Sequence, residues 1–291
     1  MKRILLLAIL SQTLTFCSRE VEEPKAALSP EQFQASIYRS TIADNSHALL
    51  GDPTTSNLKD FNNYYVNKVG YTMSYCERKG IPNWVSWHLD SSWLGATDRS
   101  NDFRADASLP SSFFKVDQNM YASTGFDRGH MCPSADRTKS FALNSETFLM
   151  SNMVPQAPKN NRTTWEGLEA FLRTQVTTKG MEVFITAGGM GVGGTGTNGG
   201  ITNFLANGRI SVPNSTWKIA LLIPKGNGDL KRIDTNAEII AVNIPNNQNI
   251  TSSWKDYITT VKQLEVDLGY KFFKNIPIAI STALKEKKYA N

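Results

Sequence analysis

The stretch Gly125-Phe126-Asp127-Arg128-Gly129-His130-Met131 holds one of only three histidines in 291 residues. Farther along come Asn152, then Asn160-Asn161-Arg162, Trp165 and Glu169. An imidazole, an amide, a carboxylate and several guanidiniums are the parts of a metal-assisted phosphodiester hydrolase. That reaction needs a deprotonated water, neutralised charge on the phosphoryl oxygens and a stabilised leaving alkoxide. His130 suits the first task, with an ordinary pKa near 6.5, so activity is expected to fall below that pH. The plain alternative is a capping or core histidine. The flanking Asp127-Arg128 pair and the two glycines weigh against it, because they call for a bent strand that exposes its side chain.

Asn161 and Glu169 are eight residues apart. Within one helix they would be separated by about 12 Å along the axis, too far for both to grip one ion directly. If Asn161 ligates a metal, Glu169 holds a water of that metal. Such sparse protein ligation suits Mg²⁺, which keeps most of its water, and the helix start offers free N–H groups to an anion. Simple N-capping is the other reading of Asn160-Asn161. Glu169 flanks the Trp165/Leu168/Leu172 stripe, which predicts a half-buried carboxylate.

The elements that must position these residues follow from periodicity. Tyr71–Tyr75 and Trp84–Leu89 alternate across a turn containing Gly80 and Pro82, a hairpin signal. Residues 91–109 are polar and turn-rich, hence surface. Asn144–Met153 reads as a short helix and Thr163–Lys179 as an amphipathic one. Strands are predicted at Glu182–Ala187, Ile210–Val212, Trp217–Pro224 and Glu238–Ile244, with a helix near Tyr257–Asp267. This order is not a regular βαβ alternation, so the fold class is α+β with a largely antiparallel central sheet flanked by helices.

Lys2 and Arg3 precede a seven-residue apolar run, Ile4–Leu10, too short to span a bilayer. Residues 1–17 read as a signal peptide ending at Cys17, a lipidation candidate, although bulky Phe16 occupies a place where a small residue is expected. Residues 18–46 read as a flexible tether and 47–291 as a single catalytic domain. The protein is therefore expected to be exported: periplasmic, an outer-membrane lipoprotein or secreted, touching membrane only through a lipid anchor. In that setting Cys76 and Cys132 can form a disulfide or stay as buried thiols. Gly191-Val192-Gly193-Gly194-Thr195-Gly196 matches a dinucleotide fingerprint, but Thr197-Asn198-Gly199-Gly200 cannot start the helix that such a site requires, so a mobile loop is expected. His47 and His88 are isolated; His88 reads as a strand residue, and no zinc-type ligand cluster is apparent.

Three segments together, Asp127-Arg128-Gly129-His130, then Ser151-Asn152-Met153-Val154-Pro155-Gln156, then Asn161-x-x-x-Trp165-x-x-Leu168-Glu169, resemble the sugar-non-specific DNA/RNA endonuclease family with its ββα-metal active-site motif. Trp84-Val85-Ser86-Trp87, residues 99–110 and Val212-Pro213-x-x-x-Trp217-Lys218 extend the likeness over roughly residues 49–274, and Cys132-Pro133-Ser134-Ala135-Asp136 looks like its bacterial branch. The resemblance implies that His130 is the general base, Asn161 the single direct Mg²⁺ ligand, with Mn²⁺ able to substitute, and Glu169 the holder of the metal's water shell. It implies that Asn152 helps position the site, and that an upstream arginine contacts the scissile phosphate: Arg99 in preference to Arg104. It also implies Asp127 as a structural support, with Arg128 and Arg162 as substrate contacts. The products would carry 5′-phosphate.

The net charge of +5 permits an anionic partner without requiring one. Between Asp98 and Arg173 nine Lys/Arg balance nine Asp/Glu, and the basic surplus lies partly in Lys271, Lys274, Lys285, Lys287 and Lys288. A neutral catalytic stretch fits cleavage of DNA and RNA without base readout, since phosphate contacts carry no sequence information. Two other readings stay open: a catalytically idle nucleic-acid-binding envelope protein of the same fold, and a phosphodiesterase for small substrates. The chain offers no reading of oligomeric state.

Overall fold

In the computed structural model, which describes residues 43–290, the strands are, in chain order, β1 (Tyr64–Asn67), β2 (Thr72–Cys76), β3 (Ile81–Leu89), β4 (Asp127–His130), β5 (Met153–Gln156), β6 (Met181–Met190), β7 (Phe204–Leu205), β8 (Ile210–Ser211), β9 (Ser215–Pro224) and β10 (Glu238–Pro245). The α-helices are α1 (Phe141–Glu146), α2 (Glu166–Lys179), α3 (Asp229–Arg232), α4 (Val261–Leu268) and α5 (Ile278–Glu286). Six strands form one sheet in the order β1-β2-β3-β6-β9-β10, and every neighbouring pair is antiparallel. The α+β expectation holds. The signal peptide, Cys17 and most of the tether lie outside the described residues. The folded part begins before residue 47, because the Asp44 carboxylate accepts from Gly228 and Asp229 N–H and Asn45 N–H donates to Asp229.

The strands bury both faces, which is why they read as near-continuous apolar runs. Along β9 the side chains alternate between two cores: Ala220 and Leu222 join Val85, Trp87, Ile185 and the α2 stripe of Leu168, Leu172 and Val176 on one face. Trp217, Ile219, Leu221 and Ile223 meet Leu49, Leu50, Val261, Leu264, Phe272, Phe273 and Leu284 on the other. The first face carries the site. There β4 and β5 form a separate two-stranded antiparallel ribbon, His130 opposite Met153, and α2 follows β5 through a π-helical turn over Asn160–Trp165. Strand, strand and helix are thus the ββα unit that the resemblance implied. The region read as one short helix over 144–153 is instead α1, a 3-10 turn at Met150–Asn152 and then β5. Asn152 causes this break, because its side chain bonds backbone groups outside any helix.

One open alternative closes and one expectation changes. Cys76 and Cys132 are both buried free thiols: Cys76 ends β2 beside Asn62, whereas Cys132 is packed into the first core. The glycine-rich loop after β6 is held rather than loose. Thr195 N–H donates to Asn246 O, Thr197 N–H to Gly125 O, and Asn198 Nδ2 to Ser123 O. The short strand β7, not a helix, follows it. His88 lies in β3 as read, fully buried between Trp93 Nε1 and Glu182.

Gly129 is needed for space rather than for a bend. A Cβ there would sit 2.0 Å from Gln156 Oε1 and 2.8 Å from Gln156 Cβ, and Gln156 is itself fully buried. Gly129→Ala is therefore expected to cost about 1–3 kcal/mol through overpacking of the ribbon. Thermal denaturation checks this, and an unchanged melting temperature would remove the packing argument.

Candidate active site

His130 ends β4 with its ring enclosed by Phe148, edge-on at 4.8 Å, and Phe103 at 5.5 Å. Its Nε2 is buried with no partner among the described residues. Burial foremost, then the charges of Arg99 and Arg128, pushes its pKa down to about 3. Burial thus favours the neutral imidazole, the form that can accept a proton, and shifts the titration expected near 6.5 downward. The backbone carbonyl of His130 accepts from Trp165 Nε1 at 3.3 Å, which ties β4 to the start of α2.

Arg99 and Arg104 separate clearly. Arg99 packs over the Phe148 ring at 4.7 Å, donates to Ser134 Oγ and Asn101 Oδ1, and lies close enough to His130 and Glu169 to feel both. Arg104 is spent on Asp102 and the Ser145 carbonyl. Arg128 stacks on Phe103 at 4.1 Å and reaches Gln118.

The two asparagines have opposite fates. Asn152 is fully buried; its Oδ1 accepts from Cys132 N–H while Nδ2 donates to the Cys132 and Thr147 carbonyls. With its amide spent on backbone, Asn152 clasps the segment that follows His130 to the end of the turn after α1. Asn161, in the π-helical turn, donates from Nδ2 to Asp127 Oδ2 at 2.9 Å. A carboxylate only accepts, which fixes which end of the amide faces it. The Oδ1 is thereby turned away with no donor among the described residues. π-turns recur at functional sites because they shift side chains out of helical register. Asp127 is clamped from the other side by Arg162, Nε and Nη2 to its two oxygens at 2.9 and 2.7 Å. Arg162, expected as a substrate contact, is here the bidentate partner of Asp127.

Glu169 is more buried than expected, at 8% exposure. Its Oε1 accepts from Lys218 Nζ at 3.0 Å. Lys218 comes from β9, is fully buried and sits 4.0 Å over the Trp165 ring. Burial pushes Glu169 up and Lys218 down, and each partner's charge works against the other's shift. Sequence reasoning gave Lys218 no role, yet a signal was there: a lone lysine at an inward position of an otherwise apolar strand. Phe103 and Phe148, which wall the histidine, had no such signal.

A hard divalent cation fits this donor set. The free oxygen of Asn161 and the second oxygen of Glu169 are hard ligands, and no group of three or more His, Cys, Asp or Glu exists among the described residues to favour a softer metal.

Comparison with known proteins agrees with this geometry. Residues 54–279 match the family described as DNA/RNA non-specific endonuclease. A nuclease of Nostoc sp. is 42% identical over 243 residues, 83% of this chain and 85% of that one. Nuclease C1 of Cunninghamella echinulata is 32% identical over 191 residues, 62% of this chain and 72% of that protein. The crystal structure of the EndoG/EndoGI complex contains a chain of the same fold, with TM-score 0.67 and 24% identity over 86% of this chain and 100% of that one. The ribbon-and-helix site therefore sits in a protein that belongs to the DNA/RNA non-specific endonuclease family, hydrolases that cut nucleic acids with the help of a divalent metal ion.

Proposed function

We propose that the chain is an exported, Mg²⁺-dependent endonuclease that hydrolyses DNA and RNA to 5′-phosphate ends with one metal ion, His130 acting as general base. The observation that carries this reading is the pairing of Asn161 Nδ2 with Asp127, on the strand that ends at His130, which leaves the amide oxygen Oδ1 without a donor among the described residues. When bound, Mg²⁺, or Mn²⁺ in its place, neutralises charge on the phosphoryl oxygens. Asn161 Oδ1 would be its direct ligand, and Glu169, anchored through Oε1, would hold its water shell with the other oxygen. With Nε2 enclosed, Nδ1 of His130 is the nitrogen available to take the attacking water's proton. Arg99, braced by Ser134 and Phe148, would meet the scissile phosphate, with Arg128 beside it. Export rests on residues 1–17 alone.

The direct test is nicking of plasmid DNA and cleavage of a matched RNA with Mg²⁺, with and without EDTA. Cleavage abolished by EDTA is expected; clean protein with no metal-dependent cutting of either polymer would favour the idle binding protein. His130→Ala is expected to lower kcat by about 10²–10⁴-fold while Mn²⁺ binding, followed by electron paramagnetic resonance, persists. Asp127→Ala releases the Asn161 amide and should weaken metal binding about 10–100-fold, read by metal titration; unchanged affinity would sink the orienting role.

The pH profile separates this site from an ordinary histidine. The acid limb of kcat/KM reports the free enzyme, so it is expected well below 6.5, toward pH 3. A limb at 6.5 would overturn the enclosed neutral base. Folding limits the window. His130 and His47, the latter pushed down to about 4 mainly by burial, take up protons more readily when unfolded. Their contribution to stability is present above 6.5 and is lost as pH falls toward their folded values, so a melting curve accompanies each pH point.

A further inference from the structure

We infer that the face of the sheet opposite His130 carries a second binding site for the phosphate backbone of long nucleic acids, built on Lys79, Lys271 and Lys274. Phe272 and Phe273 belong to the second core, whereas Met131 and Cys132, next to the histidine, belong to the first. Lys271 and Lys274 therefore lie on the second-core side of the sheet, and Lys79, in the turn between β2 and β3, joins them at its end.

Three observations carry the inference. First, these lysines line one recess of about 470 Å³ together with hydroxyl and amide groups of Thr54, Thr55 and Asn62, and no carboxylate lines it. Lys271 and Lys274 also line an adjoining recess of about 360 Å³ that ends at Lys285, so two depressions share a basic ridge. Second, the lysines are exposed and none has a carboxylate within ion-pair distance among the described residues; Lys285, by contrast, is paired with Glu265. The nearby Asp52 is spent inward, both its oxygens accepting from the N–H and hydroxyl groups of Thr54 and Ser56. Charge here is uncompensated, while in the catalytic stretch it balances. Third, the ridge is held in shape at a cost. Phe273 adopts φ +60°, a left-handed conformation that a bulky residue rarely takes, with its side chain buried. Lys271 N–H is fastened to Pro53 O, and Lys274 Nζ donates to Thr55 Oγ1 at 2.7 Å. A turn with two buried phenylalanines, Phe272 and Phe273, between two exposed lysines sets both ammonium groups on one edge.

Cations without a carboxylate partner, beside hydroxyls and amides, recognise phosphodiester oxygens without reading bases. Such a site would bind a stretch of polymer other than the one being cut. It would act on long substrates and leave short ones alone, so the inference rests on nucleic acid being the substrate.

The test compares wild type with the Lys79→Gln/Lys271→Gln/Lys274→Gln variant, on kilobase duplex DNA and on a hexanucleotide, over a range of salt. For the variant, kcat/KM on long DNA at physiological salt should fall on the order of 10-fold, and the slope of log kcat/KM against log salt should shrink by about two to three for three lost phosphate contacts. Hexanucleotide cleavage should be unchanged. Equal rates and equal salt slopes on long DNA would overturn the site. So would unchanged DNA kinetics with lost sedimentation on anionic phospholipid vesicles, which would make the ridge a membrane contact. Failure of wild type on both substrates would instead refute the nuclease reading itself. A charge-retaining Lys→Arg triple separates charge from folding: it should keep the wild-type slope.

Discussion

A single buried cation supports the site. Lys218 points from the central sheet into the first core, where no water can solvate it, and its charge is met by Glu169 and by the faces of Trp165 and, farther off, Trp87. Taking an ammonium and a carboxylate out of water costs several kcal/mol each, more than a core needs to spend for stability. Removing either partner alone would leave the other stranded, typically at about 3–5 kcal/mol. The pair makes sense as a positioning device. It pins one oxygen of Glu169 to the rigid sheet, sets the rotation of α2 and brings Trp165 to the carbonyl of His130. That contact adds a fixed polar point to the apolar packing of α2 on the sheet and to the bonds of Asn161 and Arg162 with Asp127.

The same logic runs through the two asparagines. An amide buried among carbonyls and N–H groups has its donors and acceptors consumed and becomes a staple, as at Asn152. An amide with a carboxylate on one side has only its donor consumed, and its oxygen is turned outward, as at Asn161. Asp127 thus decides what Asn161 can do, and Arg162 holds Asp127 in place. The residues around the reacting groups do as much as those groups: Ser134 and Phe148 brace Arg99, and Phe148 with Phe103 dries the histidine.

Where one physical signal dominated, the chain was legible. The β2–β3 hairpin was marked by alternation, β6, β9 and β10 by short apolar runs and α2 by a three-to-four-residue periodicity, and the ββα unit by the resemblance of its motifs. The failures share a cause. At 144–153 helix propensity lost to Asn152, whose bonds are long-range and invisible locally. α5 escaped because it is short and its apolar residues do not all face the core: Ile278, just after Pro277, is exposed while Leu284 is buried. The glycine loop looked mobile by composition, but its anchors, Gly125 and Asn246, lie far away in sequence. For the candidate site, the motifs that carry His130, Asn161, Glu169 and Arg99 could be picked out, but burial could not. Glu169 and His130 are both more enclosed than spacing implied, and enclosure is a property of neighbours such as Phe148 and Lys218, which come from other elements.

Enclosure also explains how a site with little net charge can serve a polyanion. Around His130 the formal charges largely cancel: Asp127 against Arg162, Glu169 against Lys218, Asp136 against Arg173. Arg99 and Arg128 are left facing the histidine from stacked positions on Phe148 and Phe103. A guanidinium on an aromatic face is shielded from water and fixed in direction, so its attraction for a developing phosphoryl charge is larger than that of a mobile surface lysine. A few directed charges can then act where charge develops, without a broad positive field that would grip substrate and product alike.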